Sequence, residues 1–443
     1  MEKIKLKEIK KAHLIGIGGI GISAIARMML LEGKKVSGSD RERSSITDEL
    51  ERLGAEIFIG HDAGHVPHDA DVVVYTIAIP DDNPELICAK ERGIPCYTYP
   101  QMLGIISHEK FTIAVSGTHG KTTTTGMIGT ILIDAGLNPT VILGSLLKDV
   151  NSNFIVGKPE TGKRDILVVE ACEYRRSFLN LSPDILVITN IDADHLDYYK
   201  DLNDIIRAFS ELSARIKKEG IIVTDKRHPA VRDALAGREA VDFETEKKGG
   251  VIELAFPGEY NQKNARAALA VATLLGVSEI SARESLKHFG GTWRRFEHKG
   301  TTKEGAEVYD DYAHHPTEIQ AMLKGARERF PQRKIIAVFQ PHLYSRTKTF
   351  LNELAESFSD ADEVILAPVY AARENSDAGV DTPVLAETMK EKKEDVLYCG
   401  DFGAIESYLK TNAKQGDVII TIGAGDIFKV GESLLQSITH IKP

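Results

Sequence analysis

The segment AVSGTHGKTTTT, residues 114–125, constrains the fold more than any other part of the chain. The apolar run from Phe111 to Val115 predicts a buried strand, and the residues that follow Lys121 predict a helix that begins at this lysine. Between the two elements, Gly117 and Gly120 let the backbone approach an anion, and the helix N–H groups and the lysine charge favour phosphate. The segment therefore predicts a nucleotide-binding α/β domain.

This loop is shorter than the common phosphate-binding loop, GxxxxGK[ST], which would need a glycine at Val115. An ordinary strand-to-helix turn is the alternative, but two glycines, a lysine and four consecutive threonines at one junction favour a nucleotide site. A hydroxyl at Thr122 or Thr123 can bind the Mg²⁺ that accompanies nucleoside triphosphates. The candidate nucleotide-binding residues are Gly117, Thr118, Gly120, Lys121, Thr122 and Thr123, and His119 is a candidate substrate-binding residue.

A second glycine-rich loop lies near the N-terminus. A short strand is predicted from His13 to Ile15, residues 16–21 match GxGxxG, and a helix is predicted from Ile22 to Leu31. The next strand, Lys35 to Ser39, ends at Asp40, where a carboxylate can accept a hydrogen bond from a ribose hydroxyl. The pattern fits the pyrophosphate of NAD or of a UDP-sugar equally well, and close helix–strand packing is the alternative. The candidate binding residues here are Gly18, Gly19, Gly21 and Asp40.

Strands and helices alternate along the chain, which predicts parallel sheets covered by helices. A chain of 443 residues is long enough for two to four domains with separate cores. We predict three α/β domains: a Rossmann-like domain over residues 1–109, a domain with a P-loop ATPase-like parallel sheet over 110–292, and a second Rossmann-like domain over 293–443. The last boundary follows a hinge signal at Gly290-Gly291.

Composition excludes several functions. A formal net charge of -10 argues against a general nucleic-acid-binding protein. No apolar stretch is long enough to span a bilayer, and the lysine-rich N-terminus leads into a strand without a cleavable apolar segment, so we expect a cytoplasmic protein without a membrane partner. The four cysteines show no metal-ligand spacing and are too few for a disulfide framework, so reduced thiols are expected.

Polar residues follow two predicted strands of the central domain. One strand ends in Glu170, and another ends in NIDADH, residues 190–195. Because the carboxyl ends of parallel strands line the ligand crevice, we expect Glu170, Asp194 and His195 to converge near Lys121, where they can hold Mg²⁺ for phosphoryl transfer. A surface or capping role is the alternative for His195.

Two asparagines begin a helix that is predicted over residues 258–272. Asn261 and Asn264 lie three residues apart on its first turn, where an amide can contact an adenine edge. N-capping of the helix is an equally good interpretation of this spacing.

Three predicted strand ends of the last domain also carry polar side chains. They lead into DDYAHHPTE (310–318), QPHLYSRT (340–347) and YAARE (370–374), which contains Arg373. Three such ends in succession favour a second polar site over solvated loops. Arg346 can bind a carboxylate through two N–H groups.

In this order the segments resemble those of the Mur ligases. The resemblance rests on GIGGIGISAIA, SGTHGKTTTT, TNIDADHLD, RRFE, DDYAHHPTEI, FQPHLYSRT and GAGDI, which are distributed over nearly the whole chain. DDYAHHPTE and the N-terminal glycine loop are typical of the alanine-adding branch, whereas the short phosphate loop is shared with folylpolyglutamate synthetase. The resemblance implies UDP-sugar binding in the first domain, ATP binding in the second and amino-acid binding in the third.

The resemblance implies a ligase of peptidoglycan precursor synthesis, with UDP-N-acetylmuramate and L-alanine as substrates and ATP and Mg²⁺ as cofactors. The sugar-borne carboxylate would take the γ-phosphoryl group, and the amine of L-alanine would then displace phosphate. Such an enzyme would act as a monomer or homodimer, and its third domain would close over the second to exclude water. A ligase for a different amino acid or peptide, an NAD(P)-dependent oxidoreductase and a non-catalytic nucleotide sensor are the alternatives.

Individual roles follow from the same resemblance. The implied catalytic residues are Lys121, Glu170, His195 and Arg294, and the implied metal ligands are Thr122, Glu170 and His195. Nucleotide contacts would come from Asn264, Arg294 and Asp310, amino-acid contacts from Tyr312, His315 and Arg346, and diphosphate contacts from Gly18, Gly19 and Gly21.

The chain departs from the family pattern in places. Where EADESD is typical, Cys172 replaces an acid, and Arg175 and Arg176 add positive charge beside the substrate. Tyr260 stands where a histidine often precedes the first asparagine. The helix predicted over residues 204–216 lacks the lysine that several relatives carbamylate, so we predict no carbamate.

Overall fold

The structure is a computed structural model that describes residues 4–157, 161–245, 250–372, 374–375 and 379–436. These residues form three sheets, as the alternation of strands and helices predicts. The chain divides into two compact units, the first comprising Met1–Glu253 and Lys263–Gly290, the second Leu254–Gln262 and Gly291–Pro443. Two sheets lie in the first unit and one in the second. No helix within the described part of the chain is both long and apolar enough to cross a membrane.

The N-terminal sheet has five parallel strands in the order β3-β2-β1-β4-β5. Its strands are β1 (Lys11–Ile15), β2 (Lys35–Asp40), β3 (Glu56–Ile59), β4 (Val72–Tyr75) and β5 (Cys96–Thr98). Its helices are α1 (Ile20–Leu31), α2 (Ser45–Arg52), α3 (Pro84–Glu91) and α4 (Tyr99–Glu109). The strand order reverses between β1 and β4, so the carboxyl end of β1, where the glycine loop begins, lies at the position where such sheets bind ligands.

The central sheet has seven strands in the order β12-β11-β10-β6-β9-β7-β8. Its strands are β6 (Phe111–Ser116), β7 (Thr140–Leu147), β8 (Ser152–Ile155), β9 (Ile166–Glu170), β10 (Ile185–Ile188), β11 (Ile221–Thr224) and β12 (Val241–Asp242). The associated helices are α5 (Lys121–Asp134), α6 (Leu202–Ser213), α7 (Pro229–Leu235), α8 (Glu259–Leu274) and α9 (Glu279–His288). Strand β6 is paired in parallel with β10 and β9, so the residues that follow these three strands meet at one edge of the sheet.

The third sheet has six strands in the order β13-β14-β18-β15-β16-β17. Its strands are β13 (Glu297–Thr301), β14 (Glu307–Asp311), β15 (Ile335–Phe339), β16 (Glu363–Leu366), β17 (Val396–Tyr398) and β18 (Val418–Ile422). Its helices are α10 (Pro316–Arg329), α11 (Tyr344–Thr349), α12 (Leu351–Glu356), α13 (Thr382–Lys390), α14 (Phe402–Asn412) and α15 (Phe428–Gln436). Strand β13 is antiparallel to β14, and the other pairings are parallel.

The inner strands are fully buried, which explains their continuous apolar sequences. In β6, for example, Ile113, Ala114 and Val115 are inaccessible to solvent, because helices cover both faces of such a sheet. The sequence did not predict the edge strands β8, β12, β13 and β17 or the inner strands β7 and β11. Strand β13 reads EHKGT, which contains no apolar residue, and its place in the sheet depends on backbone pairing with β14.

Candidate active site

The link between β6 and α5 forms the predicted phosphate loop. It comprises only the four residues from Gly117 to Gly120, because β6 ends at Ser116 and α5 begins at Lys121. The two glycines have φ angles of 134° and 83°, a region that other residues rarely adopt. A Cβ at Gly120 would also lie 2.4 Å from Oδ1 of Asn264. Backbone conformation and close neighbours therefore both require glycine here.

The segment after β10 holds this loop in place. The backbone N–H of Thr118 donates to the carbonyl of Asn190 at 3.1 Å, and that of His119 donates to the Asn190 side chain at 2.9 Å. The backbone N–H of Asp192 donates to Oγ1 of Thr118 at 2.8 Å, and its carboxylate lies 3.3 Å from Nε2 of His119. The loop that precedes the α5 N-terminus is thus fixed by a neighbouring strand end, which keeps the helix N–H groups in position for an anion.

Lys121 projects its ammonium group into the loop. The Nζ atom donates to the carbonyls of Gly117 at 2.7 Å and Thr118 at 3.0 Å and lies 2.9 Å from Oε2 of Glu173. Burial alone would lower the pKa of Lys121, but the nearby negative charge of Glu173 outweighs burial and raises it. The loop therefore carries a fixed positive charge.

Glu173 joins Lys121 to His195, although sequence reasoning did not identify it as a site residue. Its side chain is 3% exposed, and Oε1 lies 3.4 Å from Nε2 of His195. Burial raises the pKa of Glu173, but the charge of Lys121 and the hydrogen bond from His195 outweigh burial and lower it. Tyr199 fixes the same residue by donating its hydroxyl to the Glu173 carbonyl at 2.5 Å. The sequence signal was its position three residues after Glu170 in the same polar segment.

His195 and Glu170 occupy different parts of this strand-end region. His195 has a φ angle of 53°, and its ring lies 4.9 Å from that of Tyr174. A carboxylate oxygen of Asp194 lies 4.0 Å from its Nε2. Glu170 accepts a hydrogen bond from the backbone N–H of Gly144 at 2.8 Å. The structure thus brings His195 and Asp194 together, and it places the Glu170 carboxylate against β7.

The remaining candidate nucleotide contacts of this unit lie around the first turn of α5. Thr122 and Thr123 are each 7% exposed, and Asn264 is 6% exposed with its amide next to Gly120. Within the second unit, Asn261 donates through Nδ2 to the carbonyl of Pro257 at 2.7 Å. This second amide secures the turn before α8, so the two asparagines have different roles.

The N-terminal glycine loop leads into α1, with Gly19 at the N-cap. The Asp40 carboxylate, predicted to meet a ribose, accepts a hydrogen bond from the Gly18 N–H at 2.8 Å. Gly21 packs so closely on Tyr99 that a Cβ would lie 2.7 Å from the phenol ring. The four predicted residues Gly18, Gly19, Gly21 and Asp40 therefore form one structural group at the start of α1.

In the second unit, Arg294 and Asp310 form a buried ion pair. Their side chains are 3% and 1% exposed, and Nε lies 2.7 Å from Oδ2. Arg294 also donates to the carbonyls of Gly425 at 2.9 Å and Gly423 at 2.6 Å, and Thr421 donates to Asp310 at 2.6 Å. Burial raises the pKa of Asp310 in spite of the opposing charge of Arg294. In this structure the pair connects β14 to the loop after β18.

Tyr312 and His315 follow β14. The guanidinium carbon of Arg294 lies 5.2 Å from the centre of the Tyr312 ring. His315 is the N-cap of α10 and accepts a hydrogen bond through Nδ1 from the N–H of Thr317 at 3.3 Å. Its ring packs on Phe350 at a centroid distance of 4.8 Å.

Arg346 lies beside the ends of β15 and β16. Its Nη1 is 3.0 Å from Nδ1 of His342, whose ring stacks on Tyr370 at 5.6 Å. The His342 ring also lies 5.9 Å from that of His314, which follows β14, so the structure brings the three predicted polar strand ends together. Arg373, on the third segment of that prediction, lies outside the described residues.

Three family models match the chain. The model described as Mur ligase family, catalytic domain, matches residues 11–111, the Mur ligase middle domain matches residues 115–249, and the Mur ligase, glutamate ligase domain, matches residues 294–425. The three matches follow one another along most of the chain, and each contains strands of a different sheet.

Curated relatives and a solved structure agree with these matches. UDP-N-acetylmuramate–L-alanine ligase of Caldanaerobacter subterraneus subsp. tengcongensis is 43% identical over 98% of this chain and 99% of the relative. The protein of the same name from Clostridium novyi is 43% identical over 97% of this chain and 98% of the relative. The crystal structure of UDP-N-acetylmuramate-alanine ligase from Thermotoga maritima is similar with a TM-score of 0.78 and 29% identity, covering 96% of this chain and 98% of that one.

Proposed function

This chain belongs to the Mur ligase family, and on that basis we propose that it joins L-alanine to the carboxylate of UDP-N-acetylmuramate in an ATP-dependent step of peptidoglycan precursor synthesis. One structural observation carries the proposal. The Lys121 ammonium is held at the start of α5 by two loop carbonyls and Glu173, where its charge and the helix N–H groups favour phosphate once the contact with Glu173 is exchanged for it. The relatives that share more than two fifths of the sequence over nearly full length bear the name of this activity.

The reaction needs ATP because a carboxylate is a poor acyl donor. An oxygen of the sugar-borne carboxylate attacks the γ-phosphorus, the bond from phosphorus to the β,γ-bridging oxygen breaks, and ADP leaves. The neutral amine of L-alanine then attacks the acyl carbon. Inorganic phosphate leaves with the electrons of the C–O bond, and the nitrogen loses one proton. In the first step Lys121 would stabilise the negative charge on the β- and γ-phosphates.

The side chains near the loop fit a magnesium ion. Mg²⁺ prefers oxygen ligands, and the Thr122 hydroxyl and the Glu170 carboxylate supply them. Oε2 of Glu173 is also a buried atom that accepts no well-oriented hydrogen bond from the described residues. We assign Mg²⁺ binding to Thr122, Glu170 and His195, with Glu173 beside them. When bound, the ion would neutralise phosphate charge during transfer.

We assign the other contacts by the same logic. ATP would bind Gly117, Thr118, Gly120, Lys121, Thr122, Thr123, Asn264, Arg294 and Asp310; UDP-N-acetylmuramate would bind Gly18, Gly19, Gly21, Asp40 and His119; L-alanine would bind Tyr312, His315 and Arg346. The domain boundaries after residues 109 and 292, a cytoplasmic location and a monomeric or homodimeric state belong to the same proposal. Light scattering after gel filtration measures the last of these.

A substrate-dependence assay tests the function. ADP release is measured with UDP-N-acetylmuramate alone, with L-alanine alone and with both, and the product is identified by mass. We expect turnover only with both substrates. Side-by-side rates with alanine, glycine, serine and glutamate separate the alanine ligase from a ligase for another amino acid. ADP release that needs neither substrate would rule out the proposal.

A further inference from the structure

Three histidines surround one buried carboxylate in the N-terminal sheet. Glu85, in α3, is completely buried and accepts hydrogen bonds from His13 Nε2 at 2.6 Å, from Ser39 Oγ at 2.9 Å and from His61 Nδ1 at 2.9 Å. Nδ1 of His65 lies 3.8 Å from the same carboxylate. We call these five residues the histidine–glutamate cluster.

The cluster comes from four different elements. Among the described residues, the titratable groups that face Glu85 are His13 on β1, His61 after β3 and His65 in the short 3-10 helix Ala63–His65. Burial raises the pKa of Glu85, but the hydrogen bonds from His13, Ser39 and His61 outweigh burial and keep it below its ordinary value. Glu85 is therefore an ionised carboxylate held by hydrogen bonds from three side chains.

Ser39 connects the cluster to the glycine loop. Its hydroxyl donates to Glu85, and its backbone carbonyl accepts hydrogen bonds from the N–H groups of Gly16 at 2.8 Å and Ile17 at 2.9 Å. The next residue, Asp40, accepts the N–H of Gly18 at 2.8 Å. Ser39 and Asp40, at the end of β2, thus accept hydrogen bonds from three successive loop residues, and Glu85 fixes Ser39 through its hydroxyl.

We propose that Glu85 is a positioning residue for the UDP-sugar: through Ser39 it keeps the glycine loop in the geometry that accepts a diphosphate. The inference rests on the proposed function for the identity of the ligand.

A matched pair of serine variants tests the positioning role. Ser39→Ala removes the hydroxyl that joins Glu85 to the end of β2. Ser37→Ala removes a similarly buried hydroxyl of the same strand, whose hydrogen bond to the described residues goes to Nδ1 of His13 at 2.9 Å and not to Glu85. We expect Ser39→Ala to raise the KM for UDP-N-acetylmuramate about fivefold to tenfold, with kcat and the KM for ATP nearly unchanged, and Ser37→Ala to have little effect. Equal effects of the two variants, or a parallel rise of the KM for ATP, would overturn the proposal.

A second variant tests the carboxylate itself. Glu85→Gln keeps the shape of the side chain but accepts weaker hydrogen bonds than a carboxylate, so the KM for UDP-N-acetylmuramate should rise in the same direction as in Ser39→Ala, with the KM for ATP nearly unchanged. A KM for UDP-N-acetylmuramate equal to that of wild type would overturn the role of Glu85. If this variant does not fold, the comparison of the two serine variants remains the test.

Calorimetric titration with UDP separates this inference from the proposed function. The positioning role predicts weaker UDP binding by Ser39→Ala than by Ser37→Ala, whether or not the enzyme makes product. If Ser39→Ala binds UDP more weakly than Ser37→Ala but the wild-type protein forms no product, the ligase assignment is refuted and the positioning role is supported. An active ligase whose two serine variants bind UDP equally would do the opposite.

Discussion

Replacement of Arg294 by alanine should destabilise the second unit severely. The guanidinium contacts Asp310 at 2.7 Å and donates to the carbonyls of Gly423 and Gly425, and both members of the ion pair are almost completely buried. Arg294→Ala would leave the Asp310 carboxylate without its counter-charge and two carbonyls without donors. Removal of one partner of a buried pair costs about 3–5 kcal/mol of unfolding free energy. For a domain of about 150–250 residues this corresponds to a loss of about 6–20 °C in Tm.

The chain offers a specific probe for this measurement. Trp293 is its single tryptophan, adjacent to Arg294, with its ring 6.0 Å from that of Phe428 in the same unit. Urea unfolding followed by tryptophan fluorescence therefore reports on the second unit. Circular dichroism of the same samples reports on the whole chain.

Two control variants make the result interpretable. Arg295→Ala removes the neighbouring arginine, whose side chain is 31% exposed, lies 4.0 Å from Glu318 and packs 5.4 Å from the centre of the Tyr312 ring, so it should cost about 1–2 kcal/mol, less than Arg294→Ala. The double variant Arg294→Ala/Asp310→Ala should recover part of the loss, because it removes the unpaired charge. A loss below about 1 kcal/mol for Arg294→Ala would refute the reasoning from burial. A stable variant without ligase activity would instead favour a direct nucleotide contact.

Three further predictions concern the two units separately. Gly120→Ala should raise the KM for ATP about tenfold, because the φ angle of 83° and the nearby amide oxygen both oppose a side chain. Gly136→Ala, also at positive φ but in open space, is the control in the same initial-rate assay and should leave this KM unchanged. Glu173→Gln should lower kcat about 100-fold, measured as ADP release, because Lys121 loses the carboxylate that orients it. Burial raises the pKa of Asp311 to about 6, so the folded protein binds more protons than the unfolded chain between about pH 4 and 6. The free energy of unfolding therefore falls by on the order of 3 kcal/mol as the pH rises across this window. Urea unfolding from pH 4 to 8 should show that Asp311→Asn removes this pH dependence, and an identical pH dependence in both proteins would contradict the prediction.

Burial on both faces made the central strand of the nucleotide-binding domain predictable from the sequence alone. Strand β6 is covered on both faces and lies between two parallel neighbours, so its central residues Ile113, Ala114 and Val115 are apolar, and this run is visible without knowledge of the partner strands. Strand β13 is held by backbone hydrogen bonds to β14, and its side chains carry no pattern. Edge strands of this kind depend on the sheet that they join, which a local sequence pattern does not contain.

In the candidate site, too, a local sequence pattern predicts which residues lie near one another but not which side chains make contact. Strand ends were sufficient to predict that Lys121, His195 and Glu170 would lie at one edge of the central sheet, since topology alone determines this. Which carboxylate reaches the lysine depends on the backbone after β9, where Arg175 and Arg176 both adopt positive φ angles of 51° and 55°. Non-glycine residues rarely do so, and the sequence gives no sign of it there.

The position of Glu173 also suggests how the loop can exist as a preformed site. An ammonium group has three donors, and those of Lys121 are directed at two loop carbonyls and at Glu173. A triphosphate that binds here must take over one of these contacts, and the contact with the carboxylate is the one it can replace charge for charge. Glu173, next to His195, would then carry a negative charge that the lysine no longer fully balances. A divalent cation that arrives with the triphosphate would restore this balance, so the ion pair between Lys121 and Glu173 would link nucleotide binding to metal binding through one side chain.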